Sequence, residues 1–287
     1  MPGTVLYERE GHIATITYNR PEVLNAIDGE LREDLNAAWV RFRDDEEAWV
    51  AIVTGAGRAF SAGADLRGGG TQPSGTFWEV PSLTSLESGL EVWKPVIAAV
   101  NGWAAGAGLY LLLASTDIRI ASAENARFKF ALLTQGWLGN GPGATLLARQ
   151  LRYADAMRIL LTDEPFDAEE ALRIGLVNEV VPHDDVMDRA EQIAEQIKTM
   201  PPIAVRMMKE FLIRFGDAPT DMAWQVQNLM NNLLIQTTAD GAEGTAAFNE
   251  KRPPNFTGAI RRQGEPFPEP SEEQWQRLNE IYRSGHY

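Results

Sequence analysis

The chain has 287 residues, of which 44% are hydrophobic and 23% are charged, and its formal net charge at pH 7 is −14. This composition is that of a globular chain long enough to bury a large core. A surface this negative repels phosphate backbones and anionic lipid, so we expect neither a nucleic-acid partner nor a membrane partner. The absence of cysteine excludes disulfides, thiolate nucleophiles and cysteine-based metal sites.

Histidine spacing and hydropathy indicate whether the chain binds a metal or crosses a membrane. His12, His183 and His286 are far apart in sequence and show no ligand spacing, so we expect no metal. The longest apolar run, near residues 109–114, has the length of a buried helix rather than of a membrane span. The first residues, MPGTVLYERE, lack the basic start and apolar centre of a signal peptide. We therefore expect a soluble, cytoplasmic protein.

The first third of the chain alternates strand and helix patterns. VLYEREGHIATITYNRP predicts a hairpin that turns near Glu10. DGELREDLNAAWVRFRDD has apolar residues at helical spacing, with Asp28 as the candidate N-cap. WVAIVTG and VIAAVN predict buried strands, and VPSLTSLESGLEVW between them predicts a helix. Residues 56–70, AGRAFSAGADLRGGG, are small enough on average to predict a loop.

Residues 98–118, AAVNGWAAGAGLYLLLASTDI, change from a strand pattern through small residues to an apolar helix. DIRIAS and ARFKF predict further strands, and the chain beyond residue 142 is mostly helical, with GLVNEVV as one late strand. The alternation predicts an α/β core. The last ninety or so residues are almost all helix, and MMKEFLIRF and WQVQNLMNNLLIQ have strongly apolar faces. These helices pack either on another subunit or on the chain's own core, and the sequence alone favours neither.

Two turns, SAGAD at 61–65 and AAGAGL at 104–109, place small residues where a strand ends and a helix begins. The first N–H groups of a helix have no intrahelical partner, and small side chains let a ligand approach them. Two such turns can present two donors to one oxygen, which is an oxyanion hole. Equally, glycine and alanine can serve only to pack a strand closely on a helix. Neither turn has the pattern of a phosphate loop.

Six motifs appear in a fixed order: NRPEVLNAI, FSAGADL, KPVIAAVNGWAAGAG, TDIRIAS, FDAEEALRIGLVNEVV and EGTAAFNEKRPPNFTG. With them the chain resembles the crotonase superfamily, the enoyl-CoA hydratase/isomerase family, from about residue 4 to about 258. The resemblance implies an α/β fold, the ClpP/crotonase-like spiral of ββα units, over residues 1–200. It implies a C-terminal helical region over 201–260 that builds homotrimers, often paired into hexamers. Residues 261–287 form a tail rich in proline and glutamate outside the match.

The resemblance also implies a binding site for an acyl-CoA thioester, which is the substrate, with no separate cofactor. Ala64 and Ala107 match the family's two backbone oxyanion donors, although glycine is commoner at the second position. Glu22 stands where a basic residue is frequent. The residues that match the family's CoA-binding positions are Leu24, Ala62, Asp65, Leu66, Arg67, Phe248 and Lys251.

The chain departs from the family at the catalytic side chains. Hydratases of the family use two glutamates, and the matching positions here are Tyr110 and about Leu132. Tyrosine, with a reference pKa near 10, is a poor base at neutral pH. Asn140 matches a position where some members carry a catalytic aspartate, so it and Tyr110 are our side-chain candidates. The remaining acyl-pocket candidates are Trp103, Leu132, Gln135 and Trp137, and lesser polar candidates are Lys129, Thr134, Glu79, Glu87 and Glu91.

The resemblance therefore predicts an acyl-CoA-processing enzyme that stabilises a thioester enolate, similar to an enoyl-CoA hydratase or isomerase, with unusual acid–base groups. Two alternatives remain at this point. One is a non-catalytic acyl-CoA binding protein of the same fold. The other is a carbon–carbon hydrolase acting on a β-diketone without CoA. Affinity for CoA and turnover on enoyl-CoA thioesters separate the three.

Overall fold

The computed structural model describes residues 3–68, 91–139, 143–260 and 271–284. Its chain divides into two units, Met1–Met200 and Pro201–Tyr287, and each is described by itself below. The segment predicted as a helix at 80–93 lies almost wholly outside the described residues.

A six-stranded sheet forms the centre of the first unit. Its strands, in spatial order, are β1 (Val5–Glu10), β2 (Ile13–Tyr18), β3 (Val50–Gly55), β5 (Val96–Val100), β7 (Ile118–Ser122) and β10 (Glu179–Val181). The first two strands form the antiparallel hairpin that the sequence predicted, and the other neighbours are parallel. Parallel neighbours need crossovers, and the helices supply them.

A second, four-stranded sheet is built from very short strands: β4 (Ala59–Ser61), β6 (Trp103–Ala105), β8 (Arg127–Lys129) and β9 (Phe166–Asp167). The prediction of an uninterrupted loop over residues 56–70 is therefore wrong, because β4 lies inside it. The three residues of β4 are too few to show a period of two, so only the pairing with β6 reveals this strand. β4 and β6 pair in parallel, which brings the two small-residue turns that follow them side by side.

Six α-helices form in the described residues of the first unit. They are α1 (Gly29–Asp44), α2 (Ala107–Ser115), α3 (Gly143–Gln150), α4 (Tyr153–Thr162), α5 (Ala168–Ile174) and α6 (Val186–Lys198). Asp28 caps α1 as predicted, since its carboxylate accepts the N–H of Leu31 at 2.9 Å. α1 and α2 share one apolar cluster with Ala51 and Val53, whereas α6 packs with Val50 and other residues of the opposite face. The sheet is thus covered on both sides, as expected for an α/β core.

The second unit consists of helices in its described residues: α7 (Pro202–Phe215), α8 (Thr220–Thr237), α9 (Asp240–Glu250) and α10 (Glu272–Ser284). No residue of α8 is buried. The exposed large apolar side chains of α7 and α8 are Met208, Leu212, Ile213, Met222, Trp224, Leu229, Leu233 and Ile235. Among the helices formed by described residues, none combines the length and hydropathy that crossing a membrane requires.

Candidate functional site

The first small-residue turn is held by a short parallel bridge between Ile27 and Ala64. Ile27 donates its N–H to the Gly63 carbonyl at 2.7 Å and accepts the N–H of Asp65 at 2.9 Å. In a parallel bridge of this kind, the central residue of the other segment directs its own N–H and carbonyl away from the bridge. The N–H of Ala64 therefore points to the side opposite Ile27.

The second turn is formed by Gly106, which lies between β6 and α2. Gly106 has a φ of 51°, a conformation that favours glycine, and its N–H donates to the Lys129 carbonyl at 3.0 Å. Ala107 is then the first residue of α2. The positive end of this helix dipole points at whatever lies in front of the turn.

The two turns touch. A Cβ placed on Gly63 would lie 2.6 Å from the Ala105 carbonyl oxygen and 3.0 Å from the Ala107 nitrogen, so only glycine fits there. Neither the Ala64 N–H nor the Ala107 N–H donates a hydrogen bond to any described residue. Both alanines are only half-buried. The structure thus brings together two backbone donors that have no acceptor among the described residues, at the two positions that the sequence singled out.

Asn25 and Ser61 support the first turn, and sequence reasoning did not identify either of them. Asn25 is fully buried, and its side-chain amide donates to the Ala59 carbonyl at 2.7 Å and to the Ala56 carbonyl at 3.0 Å. The Ser61 hydroxyl donates to the Asn25 carbonyl at 2.8 Å and accepts the N–H of Gly63 at 3.2 Å. The available signal was their place inside two of the quoted motifs, NRPEVLNAI and FSAGADL.

A cleft of about 330 Å³ opens beside Ala64. Of the predicted CoA-binding residues, it brings together Leu24, Asp65, Leu66 and Arg67, and it adds Arg58 and Glu22 to its lining. Ala62 does not line the cleft, but its N–H donates to the Leu24 carbonyl at 2.9 Å. Two cations and two carboxylates therefore face the cleft.

Asp65 organises the charges of the cleft. Arg67 donates to its two carboxylate oxygens at 3.1 and 2.9 Å, and Arg20 lies 3.5 Å away. The hydrogen bonds from the Arg67 side chain and backbone lower the pKa of Asp65 to about 2. Asp65 is thus a carboxylate that holds Arg67 in place rather than a proton donor or acceptor at neutral pH.

The predicted acid–base positions carry no carboxylate. Tyr110 is 7% exposed and lies in the apolar core cluster, and Leu132 packs against the same cluster. A Cβ on Gly143 would lie 3.3 Å from the Tyr110 ring and 3.5 Å from that of Phe130, which shows how closely α3 covers the tyrosine. Asn140, Glu79 and Glu87 lie outside the described residues.

The remaining candidates are spread over three places. Gln135 ends a 3₁₀ turn over Leu133–Gln135, and Trp137 follows it with 47% of its surface exposed. Trp103 lies on β6 and is 39% exposed. In the second unit, Phe248 is 83% exposed on α9, and Lys251 ends that helix in the left-handed region.

Similarity to known proteins extends over most of the chain. The profile of the enoyl-CoA hydratase/isomerase family matches residues 8–259. The (E)-benzylidenesuccinyl-CoA hydratase of Thauera aromatica is 39% identical over 266 residues, which are 90% of this chain and 100% of that protein. The carnitinyl-CoA dehydratase of Citrobacter koseri is 35% identical over 264 residues, again 90% and 100%.

A solved structure shows the same fold. The enoyl-CoA hydratase EchA1 from Mycobacterium marinum superposes with a TM-score of 0.80 at 32% identity, covering 90% of this chain and 100% of that one. The predictions of the family and of its fold class are therefore confirmed. The chain belongs to the enoyl-CoA hydratase/isomerase family and has the crotonase fold.

Proposed function

We propose that the protein adds water to the double bond of an enoyl-CoA thioester, or removes water in the reverse direction. As a member of its family it is an acyl-CoA-processing enzyme, and the particular reaction is our inference. The observation that supports it most strongly is the contact between the two turns, with the N–H groups of Ala64 and Ala107 lacking acceptors among the described residues.

The chemistry of the thioester explains why two donors matter. Attack at the β-carbon, or loss of an α-proton, moves negative charge onto the thioester oxygen and gives an enolate. Two fixed N–H groups stabilise that charge more than they stabilise the neutral carbonyl, so they lower the barrier. The loss of one such donor costs about 2.7–4 kcal/mol in comparable sites.

The cleft beside Ala64 is where we propose that the CoA moiety binds, with Leu24 and Ala62 along its backbone edge. Arg58 and Arg67 supply the positive charge that the phosphates require, and Asp65 fixes Arg67. Glu22 and Asp65 offset that charge. We therefore expect CoA affinity to be moderate and sensitive to salt.

The acyl group that we propose is bulky rather than a short linear chain. Apolar side chains with large exposed fractions lie along residues 133–138, among them Leu133, Trp137 and Leu138. The relative named (E)-benzylidenesuccinyl-CoA hydratase acts, by its name, on a thioester with an aromatic group. Asn140 remains our candidate for orienting the water, because an amide can hold a water but cannot take its proton.

We further propose that the protein assembles as a homotrimer or as a pair of trimers. Helix α8 buries none of its side chains although its apolar residues include Trp224, Leu229 and Leu233. Exposed apolar surface on this scale is typical of a surface that contacts another protein chain, which supports the proposal. Sedimentation at micromolar concentration is expected to give a trimer or a hexamer, and a clean monomer would contradict the proposal.

Calorimetry and turnover together test the proposed function. Titration with coenzyme A and with acyl-CoA thioesters is expected to show saturable binding. Hydration is then followed on crotonyl-CoA and on (E)-benzylidenesuccinyl-CoA, and we expect the aromatic thioester to be the better substrate. Binding without turnover across the panel would instead indicate a non-catalytic acyl-CoA binding protein. Absence of any CoA binding would favour a hydrolase acting on a diketone.

A further inference from the structure

The segment after β8 has a backbone that its own sequence does not explain. Ala131 has a φ of 57°, in the left-handed region where alanine is rare, and it is followed by a 3₁₀ turn over Leu133–Gln135. No glycine occupies position 131 to relieve this conformation. Something outside the segment must therefore hold it.

Asp163 holds it. One carboxylate oxygen accepts the N–H of Ala131 at 2.5 Å, and the other accepts the N–H of Thr134 at 2.9 Å and its hydroxyl at 2.6 Å. Asp163 is 3% exposed and is itself in the left-handed region, with a φ of 50° at the end of α4. Burial tends to raise the pKa of this carboxyl, but the three hydrogen bonds and the charge of Lys129 outweigh burial and lower it.

The segment that Asp163 holds lies against the second donor turn. The carbonyl of Lys129 accepts the Gly106 N–H at 3.0 Å, two residues before Ala131. A Cβ on Gly106 would lie 4.0 Å from the Ala131 methyl group. The same segment carries Leu132, close to the position where the resemblance predicts the second catalytic acid. A shift of residues 129–134 would therefore move both the Ala107 donor and the wall facing it.

We infer that Asp163 is a positioning residue for the reaction, acting through residues 129–134 to fix the Ala107 N–H and the adjoining wall of the acyl pocket. The inference rests on the proposed function, since it presumes that Ala107 is an oxyanion donor. Asp163 does not act as a general base: three donors occupy its oxygens, and its lowered pKa makes the carboxylate a weak base. Its expected contribution is geometric.

The alternative role for Asp163 is to end helix α4, and one variant separates the two roles. Glycine is the residue that best adopts the left-handed conformation at a helix end. If Asp163 only terminates α4, Asp163→Gly will be as stable and as active as the wild type. If Asp163 positions the site, Asp163→Gly will disturb it although the helix end is preserved.

The probe is acetoacetyl-CoA, whose enolate absorbs in the ultraviolet when donors stabilise the thioester oxygen. The wild type is expected to show this band. In Asp163→Gly we expect the band to fall at least tenfold, while the Kd for free coenzyme A, measured by calorimetry, changes less than twofold. Asp163→Asn, which keeps one acceptor oxygen, is expected to lose less. Thr134→Val, which removes only the hydroxyl bond, is expected to lose about threefold.

Hydrogen exchange supplies the second measurement, which does not depend on any ligand. Peptides covering residues 103–110 should exchange faster in Asp163→Asn, together with those covering 131–135. Asp167→Asn is the matched control, because Asp167 is the next aspartate along the chain, on β9, and its carboxylate accepts the N–H of Glu170 instead. That control should leave both peptides and the enolate band unchanged.

The outcomes are distinguishable. An enolate band in the wild type that persists within twofold in Asp163→Gly, or exchange changes confined to residues 131–135, would overturn the positioning role and leave the proposed function standing. A wild type with no enolate band would overturn the donor pair, and the role of Asp163 with it. Should Asp163→Gly fail to fold, an unchanged band in both Asp163→Asn and Thr134→Val would overturn the inference.

Discussion

The two halves of the candidate site are built from different parts of the chain. The donor half consists of the backbone N–H groups of Ala64 and Ala107, and the acid–base half consists of the side-chain positions Tyr110 and Leu132. The donor half lies at the positions where the resemblance predicts backbone donors, whereas the acid–base half carries a phenol and an alkyl group where the resemblance predicts glutamates. Tyr110 is three residues after Ala107 on the same helix, so the contrast occurs within one turn of α2.

A backbone N–H donor is less sensitive to substitution than an acid–base group on a side chain. An N–H donor persists when glycine becomes alanine, because every residue except proline supplies one. A general acid or base exists only as a side chain, so one substitution removes it. A family member can thus retain the means of stabilising an enolate after its acid–base side chains have been replaced. Four predictions test this contrast.

The largest expected effect comes from Ala107→Pro, which removes one of the two N–H groups of the donor half and leaves the acid–base half unchanged. Proline is well tolerated at the first residue of a helix, where the N–H has no intrahelical partner, so α2 should still form. We expect kcat on the best thioester substrate to fall about 10²–10³-fold, equivalent to about 2.7–4 kcal/mol. The control is Ala107→Gly, which keeps the N–H and should stay within a few-fold of the wild type. A folded and fully active proline variant would show that Ala107 is not a donor.

The second prediction restores the acid–base half. Tyr110→Glu combined with Leu132→Glu should raise the hydration of crotonyl-CoA by about a hundredfold over the wild type, the lower end of what a general acid–base group contributes. Each single variant should gain much less. Loss of CoA binding in the double variant would mean that two buried carboxylates repel each other and distort the pocket. If hydration is unchanged while CoA still binds, position 132 does not face the bound thioester.

The third prediction concerns the support of the donor helix at its other end. Arg119 is 7% exposed and donates a hydrogen bond to Thr116, which follows the last residue of α2. It also donates to the Leu176 carbonyl and to the Gln150 side chain. Burial lowers the pKa of Arg119 to about 10. Arg119→Met leaves buried carbonyls without donors and should lower the free energy of unfolding by about 2 kcal/mol. Denaturant melts measure this. We expect kcat to change little at a temperature where the variant is folded, and a tenfold loss of kcat would instead couple Arg119 to the donor half.

The smallest effect is expected at the mouth of the cleft. Glu22 is exposed and lies beside Arg58 and Arg67. Glu22→Lys should lower KM for a CoA thioester about threefold at low ionic strength, and the gain should vanish in concentrated salt because exposed charges are screened. Glu33→Lys makes the same charge change on an exposed residue of α1 that does not line the cleft. Equal gains in both variants would mean that net charge, rather than the cleft, attracts the ligand.

The sequence indicated the positions of the donor half because strands, caps and small-residue turns leave local patterns. The N-cap Asp28 and the hairpin near Glu10 are two features that such local patterns predicted and the structure confirms. The supports of the site left no such pattern, because their partners are remote. Asn25 bonds to the Ala59 carbonyl 34 residues away, and Asp163 bonds to Ala131 32 residues away. Hydrogen bonds of that span depend on the tertiary fold, which a local pattern does not describe.

The most direct test of the central claim compares two probes on the wild-type protein. We predict an enolate band when acetoacetyl-CoA binds, which reports the donor half, together with very slow hydration of crotonyl-CoA, which reports the acid–base half. A wild type that hydrates crotonyl-CoA within the ordinary range of enzymes, about 1–10³ per second, would contradict this prediction. It would mean that a side chain other than Tyr110 or Leu132 supplies efficient acid–base catalysis.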